Sequence, residues 1–285
     1  MTCPEPHHDR GVSAVASLSD VDEAPSVLRS SFGAAAAAYA EHRPDYAPAA
    51  VRWALAAAPG PRVLDLGAGT GKLTQVLVAV GADVTAVEPD AAMLAELRRR
   101  LPGVPAMTGR AEEIPLADGT VDAVLAGHSL HWFDMAVAGP EISRVLEPGG
   151  TLAGLWNVLD DRVDWVAALA RVAGPAVVGP RDLLSSWRAA TARAYLPPPG
   201  APAAFDAPRR AEFVHGQRRS VASLVDALAT RAGVLVMSPR ERETTLSRVR
   251  AFLLDRPETV GEFDVPMLTG VLRVTRPARR SWAAD

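Results

Sequence analysis

A chain of 285 residues with 48% apolar content and a formal charge of −3 can bury a sizeable core and fits one α/β domain, or one domain with an insert. Its 30 Lys plus Arg against 33 Asp plus Glu leave no electropositive excess to neutralise a run of phosphates, which argues against nucleic acid as a partner. The lone Cys3 excludes an internal disulfide and a thiolate zinc cluster, and with neither a spanning apolar run nor a secretory h-region a cytoplasmic protein without membrane association is expected.

Residues 1–27 mix Pro, Ser, Asp and His without periodicity and are expected to form a disordered leader; His7 and His8 there have no scaffold that would make a metal site. From Phe32, FGAAAAAYAEHRPDYAPAAVRWALAA carries helix formers, a break at Arg43-Pro44, and a second helical run from Pro48. PRVLDLGAG then ends an apolar, β-prone run in glycines, as a buried parallel strand does on entering a tight turn. KLTQVLVAV follows as a helix terminated by Gly81, ADVTAVEPD as a strand ending on an acid, and AAMLAELRRRL as a helix up to Pro102. The alternation continues with a strand near residues 106–108, a turn at Asp118-Gly119, the strand VDAVLAGHS, a helix through residues 141–146 and the strand TLAGLWNV.

Beyond Asp160, residues 161–195 read as helical, residues 197–208 as a proline-rich loop and AEFVHGQRRS as a strand. Helices over 221–232 and 239–254 and a last strand, MLTGVLRVTR, complete the pattern. Strands alternating with helices predict an α/β fold of Rossmann-like type, with a mostly parallel sheet and helices on both faces. An N-terminal helical cover and a helical insert after the fifth strand accompany it. Ligands on such sheets sit at the carboxyl ends of the strands.

The chemistry concentrates in VLDLGAGTG, where Gly67, Gly69 and Gly71 alternate as a strand turns into a helix. Such a turn brings backbone close to a ligand, with amide groups at the helix start aimed at it. A dinucleotide fingerprint would place a third glycine at position 72, which is Lys. Asp65, two residues before Gly67, suits an ammonium and would repel a pyrophosphate. Glu88, 21 residues after Gly67 at a strand end, is placed to accept hydrogen bonds from the two hydroxyls of a ribose. These features describe a cradle for an adenosine bearing a cationic amino acid.

VLDLGAGTG, VTAVEPD, GRAEEIPLADGTVDAVLAGHSLHWFD and VLEPGGTL resemble, in order and spacing, the successive motifs of class I S-adenosylmethionine (SAM) dependent methyltransferases. YAEHRPDYAP at residues 39–48 and the HWF at residues 131–133 resemble the small-molecule branch that includes trans-aconitate methyltransferase-like proteins. The resemblance implies a methyltransferase domain over residues 28–285, with a SAM-binding core at 32–157 and a variable acceptor-covering region at 158–265. It also implies a seven-stranded sheet whose last strand is antiparallel. It places Asp65, Gly67 and Gly69 around the methionine moiety, Glu88 on the ribose, Ala111 and Glu112 near the adenine, and Tyr39 and Arg43 over the methionine carboxylate. Many relatives carry an acid before the Ala-Glu pair where this chain has Arg110, so adenine recognition here falls to backbone groups or Glu112.

Methyl transfer from a sulfonium is an in-line displacement with an already activated donor, so positioning matters most and a base is optional. His128 and His131, at the carboxyl end of VDAVLAG, are the candidate catalytic residues; their spacing predicts one face of a short helix, beside Trp132 and Phe133 as pocket walls. Each histidine has a structural alternative, a buried imidazole bonded to backbone. Trp156 and Asn157 are expected to face the same opening. The expected reaction is methylation of a small-molecule acceptor, at oxygen of an organic acid or secondary metabolite, by a monomer or homodimer without metal. Two alternatives stay open: an NAD-dependent dehydrogenase, disfavoured by Asp65 and Lys72, and a non-catalytic SAM-binding regulatory or partner protein.

Overall fold

The computed structural model describes residues 40–179, 181–191 and 205–278. The expected leader and most of the proline-rich loop lie outside these residues.

After helical residues 40–42, the described chain enters helix α1 (Pro48–Leu55), which has proline at its first position. Strand β1 (Arg62–Leu66), helix α2 (Lys72–Ala79), β2 (Asp83–Glu88), α3 (Ala91–Arg100), β3 (Ala106–Thr108) and β4 (Val121–Gly127) follow. After a 3-10 turn at Leu130–Trp132 come α4 (Met135–Val145) and the long β5 (Leu146–Leu159). The insert then supplies α5 (Asp164–Ala173) and α6 (Leu184–Thr191). The chain continues through β6 (Arg209–Ser220), α7 (Val221–Ala229), α8 (Ala232–Leu235), α9 (Pro239–Leu254) and β7 (Glu262–Thr275).

These strands form one seven-stranded sheet in the order β3-β2-β1-β4-β5-β7-β6. Strands β1 to β5 pair in parallel, and β7 lies antiparallel between β5 and β6. The Rossmann-like architecture follows from the period of two along each buried strand. In β1, Val63 packs toward α1 and α2 while Leu64 and Leu66 face the cluster that holds Ile142 and Val145 of α4. A separate apolar cluster joins α5, α7 and α9 to the far ends of β5 and β7, through Trp165, Leu169, Leu228, Leu253 and Met267. The insert therefore has its own core beside the sheet.

Several elements run differently from the sequence expectation. The helix expected over 141–146 begins at Met135, because Asp134 caps it by accepting from the backbone N–H of Ala136 at 3.1 Å. The stretch read as helical over 161–195 holds two short helices among its described residues, the first ended at Gly174 and Pro175. His128 and His131 do not share a helix: His128 has φ +53, in the left-handed region, and the 3-10 turn starts two residues later.

Candidate donor and acceptor cavity

A cavity of about 490 Å³ opens at the carboxyl ends of β1, β2 and β4. The glycine turn forms its floor. Gly67 takes φ +69, and a Cβ there would lie 2.7 Å from Cβ of Ser129. No other residue type fits both the backbone angle and the space. Ser129 is itself fixed, its hydroxyl donating to the carbonyl of Leu66 at 2.8 Å.

Asp65 points to the α2 side of β1, where Thr74 donates its hydroxyl to Oδ2 at 2.6 Å. Its other oxygen, Oδ1, is buried without a partner. Burial, aided by nearby Glu88 and opposed by the Thr74 hydroxyl, leaves this carboxyl pushed up to about 7. Glu88, at the end of β2, is 6% exposed and accepts from the backbone N–H of Gly69 at 2.8 Å and of Asp90 at 2.9 Å. Burial raises its pKa too, against the lowering effect of those two N–H groups. A carboxylate gripped from behind by two amides keeps its remaining lone pairs in a fixed direction.

Ala111 and Glu112 also line the cavity. Ala111 is buried, and Glu112 accepts from the backbone N–H of Asp134 at 3.0 Å while Arg110 lies 3.6 Å from its second oxygen. Trp132 and Phe133 supply aromatic surface to the lining, and Met93 a thioether. Three lining residues that sequence reasoning gave no role are Tyr46, Thr70 and Lys72, the last paired with Asp45 at 2.9 Å.

The two histidines separate. His128 lines the cavity, but its Nε2 accepts from the backbone N–H of Asn157 at 2.8 Å. Burial, reinforced by the guanidinium groups of Arg43 and Arg231, pushes this imidazole down to about 3. It is neutral, with its proton on Nδ1 and its one lone pair occupied. His131 packs against Trp132 at a ring separation of 4.9 Å, and its Nδ1 lies 3.5 Å from the indole nitrogen of Trp156, at the outer limit of hydrogen bonding.

The other expected contacts are distributed differently. Tyr39 lies outside the described residues. Arg43 donates to the carbonyl of Thr230 at 3.4 Å and is absent from the cavity lining. Trp156 is 1% exposed and packs against Trp187 inside the core, and Asn157 is 2% exposed with every polar atom of its side chain bonded, so neither faces the opening.

A methyltransferase domain profile matches residues 64–154, the stretch from β1 to the middle of β5. The chain is also 41% identical over 247 residues to the uncharacterized methyltransferase Rv3342 of Mycobacterium tuberculosis, covering 86% of this chain and 95% of that protein. The chain belongs to the methyltransferase family. A solved Anaeromyxobacter dehalogenans protein assigned to the type II methyltransferases superposes on this methyltransferase with a TM-score of 0.55 and 25% identity, over 82% of this chain and 97% of that one. A shorter match, 45% identical over 100 residues, is to the demethylmenaquinone methyltransferase of Beutenbergia cavernae, covering 35% of this chain and 42% of that protein.

Proposed function

We propose that this methyltransferase binds S-adenosylmethionine in the cavity above the glycine turn and methylates a small molecule, at oxygen of an organic acid or secondary metabolite. The carrying observation is Asp65, whose buried Oδ1 has no partner beside a turn that only glycine can make. A buried acceptor without a partner is costly, and the ammonium of an amino-acid ligand, directly or through water, satisfies it. Glu88, held by Gly69 and Asp90, offers its outer lone pairs to the ribose hydroxyls. Ala111 and Glu112 border the adenine end, and Lys72 in the lining supplies positive charge for the carboxylate; the roles of Tyr39 and Arg43 there rest on the family resemblance alone.

Bound there, S-adenosylmethionine supplies a methyl group on a sulfonium, activated for in-line displacement. The protein's own work is to orient both partners and exclude water, which Tyr46, Trp132 and Phe133 do as walls. His131, outside the cavity lining but packed against the lining residue Trp132 at a ring separation of 4.9 Å, is the candidate base for an acceptor hydroxyl. His128, with its lone pair occupied, holds the wall in place. The size of the cavity and the aromatic walls suit a small molecule.

Titration calorimetry with S-adenosylmethionine tests the donor assignment: saturable binding in the wild type and its loss in Asp65→Ala support it, and no binding by the wild type sinks it. A mass-spectrometric screen of cell extract for metabolites gaining one CH2 when enzyme and donor are added identifies the acceptor.

A further inference from the structure

Residues 44–47 cross the carboxyl edge of the sheet as a strap, and one of them, Tyr46, enters the cavity lining. The strap is gripped on both sides of that tyrosine. Before it, Asn157 Nδ2 donates to the carbonyls of Pro44 and Asp45, both at 3.2 Å. After it, the backbone N–H of Ala47 donates to the hydroxyl of Thr269 at 3.0 Å. Asn157 and Thr269 face each other across β5 and β7, and the Thr269 hydroxyl donates to Asn157 Oδ1 at 2.7 Å.

The hydrogen-bond inventory of this pair closes. Asn157 gives both amide protons to the strap and receives the proton of Thr269. That hydroxyl, having donated, accepts from Ala47 and can only accept from His215, whose Nε2 lies 3.2 Å away and therefore carries a proton. Asn157 is 2% exposed and Thr269 fully buried, so water does not substitute for any of these bonds. Under the strap, Gly127 makes room for the ring: a Cβ there would stand 2.5 Å from Oη and 2.9 Å from Cζ of Tyr46.

We infer that Asn157 and Thr269 form a clamp that sets the position of Tyr46 in the cavity wall, and so act as positioning residues for donor binding, a role that rests on the donor reading above. The clamp reaches the ring beside Tyr46 as well, because the backbone N–H of the same Asn157 fixes the His128 imidazole, whose centroid lies 6.1 Å from that of Tyr46. A clamp that acts through Tyr46 has a signature that general stabilisation lacks: its removal matters only while the tyrosine is there.

The test is a double-mutant cycle on the affinity for S-adenosylhomocysteine, read by calorimetry at a temperature where all variants are folded. Thr269→Val, which removes the hydroxyl and keeps the shape, is expected to weaken binding by about tenfold in the wild-type background and by less than about twofold in the Tyr46→Ala background. Thr269→Ser, which restores the hydroxyl, should bind within about twofold of wild type. If Thr269→Val does not fold, Thr269→Ala removes the same hydroxyl without adding a methyl group. Equal losses in both backgrounds, or no loss in either, overturn the clamp while leaving the donor site intact. A wild type that fails to bind S-adenosylhomocysteine overturns the donor reading, and the clamp with it.

Discussion

Thr74 donates its hydroxyl to one oxygen of Asp65 at 2.6 Å while the other oxygen of that carboxylate, buried in the same place, has no partner. With burial pushing the group up to about 7, the sign of its pH effect follows. A carboxyl whose folded pKa exceeds its unfolded value contributes stability that is full below about pH 4 and lost as pH rises through about 7. A cationic ligand group favours the ionised form, so donor affinity should run the other way. Calorimetry at about pH 6 and about pH 8 should show tighter S-adenosylhomocysteine binding at the higher value, with Asp65→Asn weaker and flat across the range. A wild-type affinity independent of pH would count against an ammonium at Asp65.

Glu88 meets two backbone N–H groups from behind. Glu88→Gln cannot accept from both amides through oxygen, so it should lose donor affinity by about tenfold, in line with charge-assisted bonds of ~1.5–3 kcal/mol. Adenine alone, which lacks the ribose, should bind the variant and the wild type alike in competition assays.

Gly67→Ala forces a side chain into the left-handed region and onto Ser129. The backbone term alone costs about 1–2 kcal/mol, and the contact adds to it. A lowered thermal midpoint together with loss of donor binding is expected; a variant as stable as wild type that still binds contradicts the geometry of the turn.

On the proposed role of His131 as the acceptor's base, His131→Gln should slow turnover with donor affinity unchanged. His128→Phe should act on stability, because the Asn157 N–H is left buried without an acceptor, a loss of about 1–3 kcal/mol. The depressed pKa of His128 gives stability that is present above its unfolded value of about 6.5 and lost as pH falls through about 3. Acid unfolding of the wild type should therefore be steeper than that of His128→Phe, and superimposable curves would rule the linkage out.

The glycine turn and the two acids beside it could be read from the sequence because their determinants are local. A β-prone run ending in Gly67 and an acid 21 residues later are constraints of one strand, one turn and the next strand. The clamp was not readable: Asn157 and Thr269 are brought together across 112 residues by the antiparallel pairing of β5 and β7, and neither residue type announces such a role. Trp156 misleads for a related reason. At a strand end it is placed to face a cleft, and the void above Gly154 instead takes its ring into the core. His128 misleads because a left-handed residue after β4 breaks the helical spacing to His131.

The sheet order carries a consequence for assembly. Among the described residues strand β6 hydrogen-bonds to β7 alone, and β7 is made after it, so within this sheet β6 finds its partner only once the chain has been synthesised through residue 275. Strands β1 to β5 can associate while the ribosome is still producing the insert, as successive parallel units. Locking the final strand into its gap then completes the edge and delivers Thr269 in one event, a long-range closure of the kind that limits folding rate.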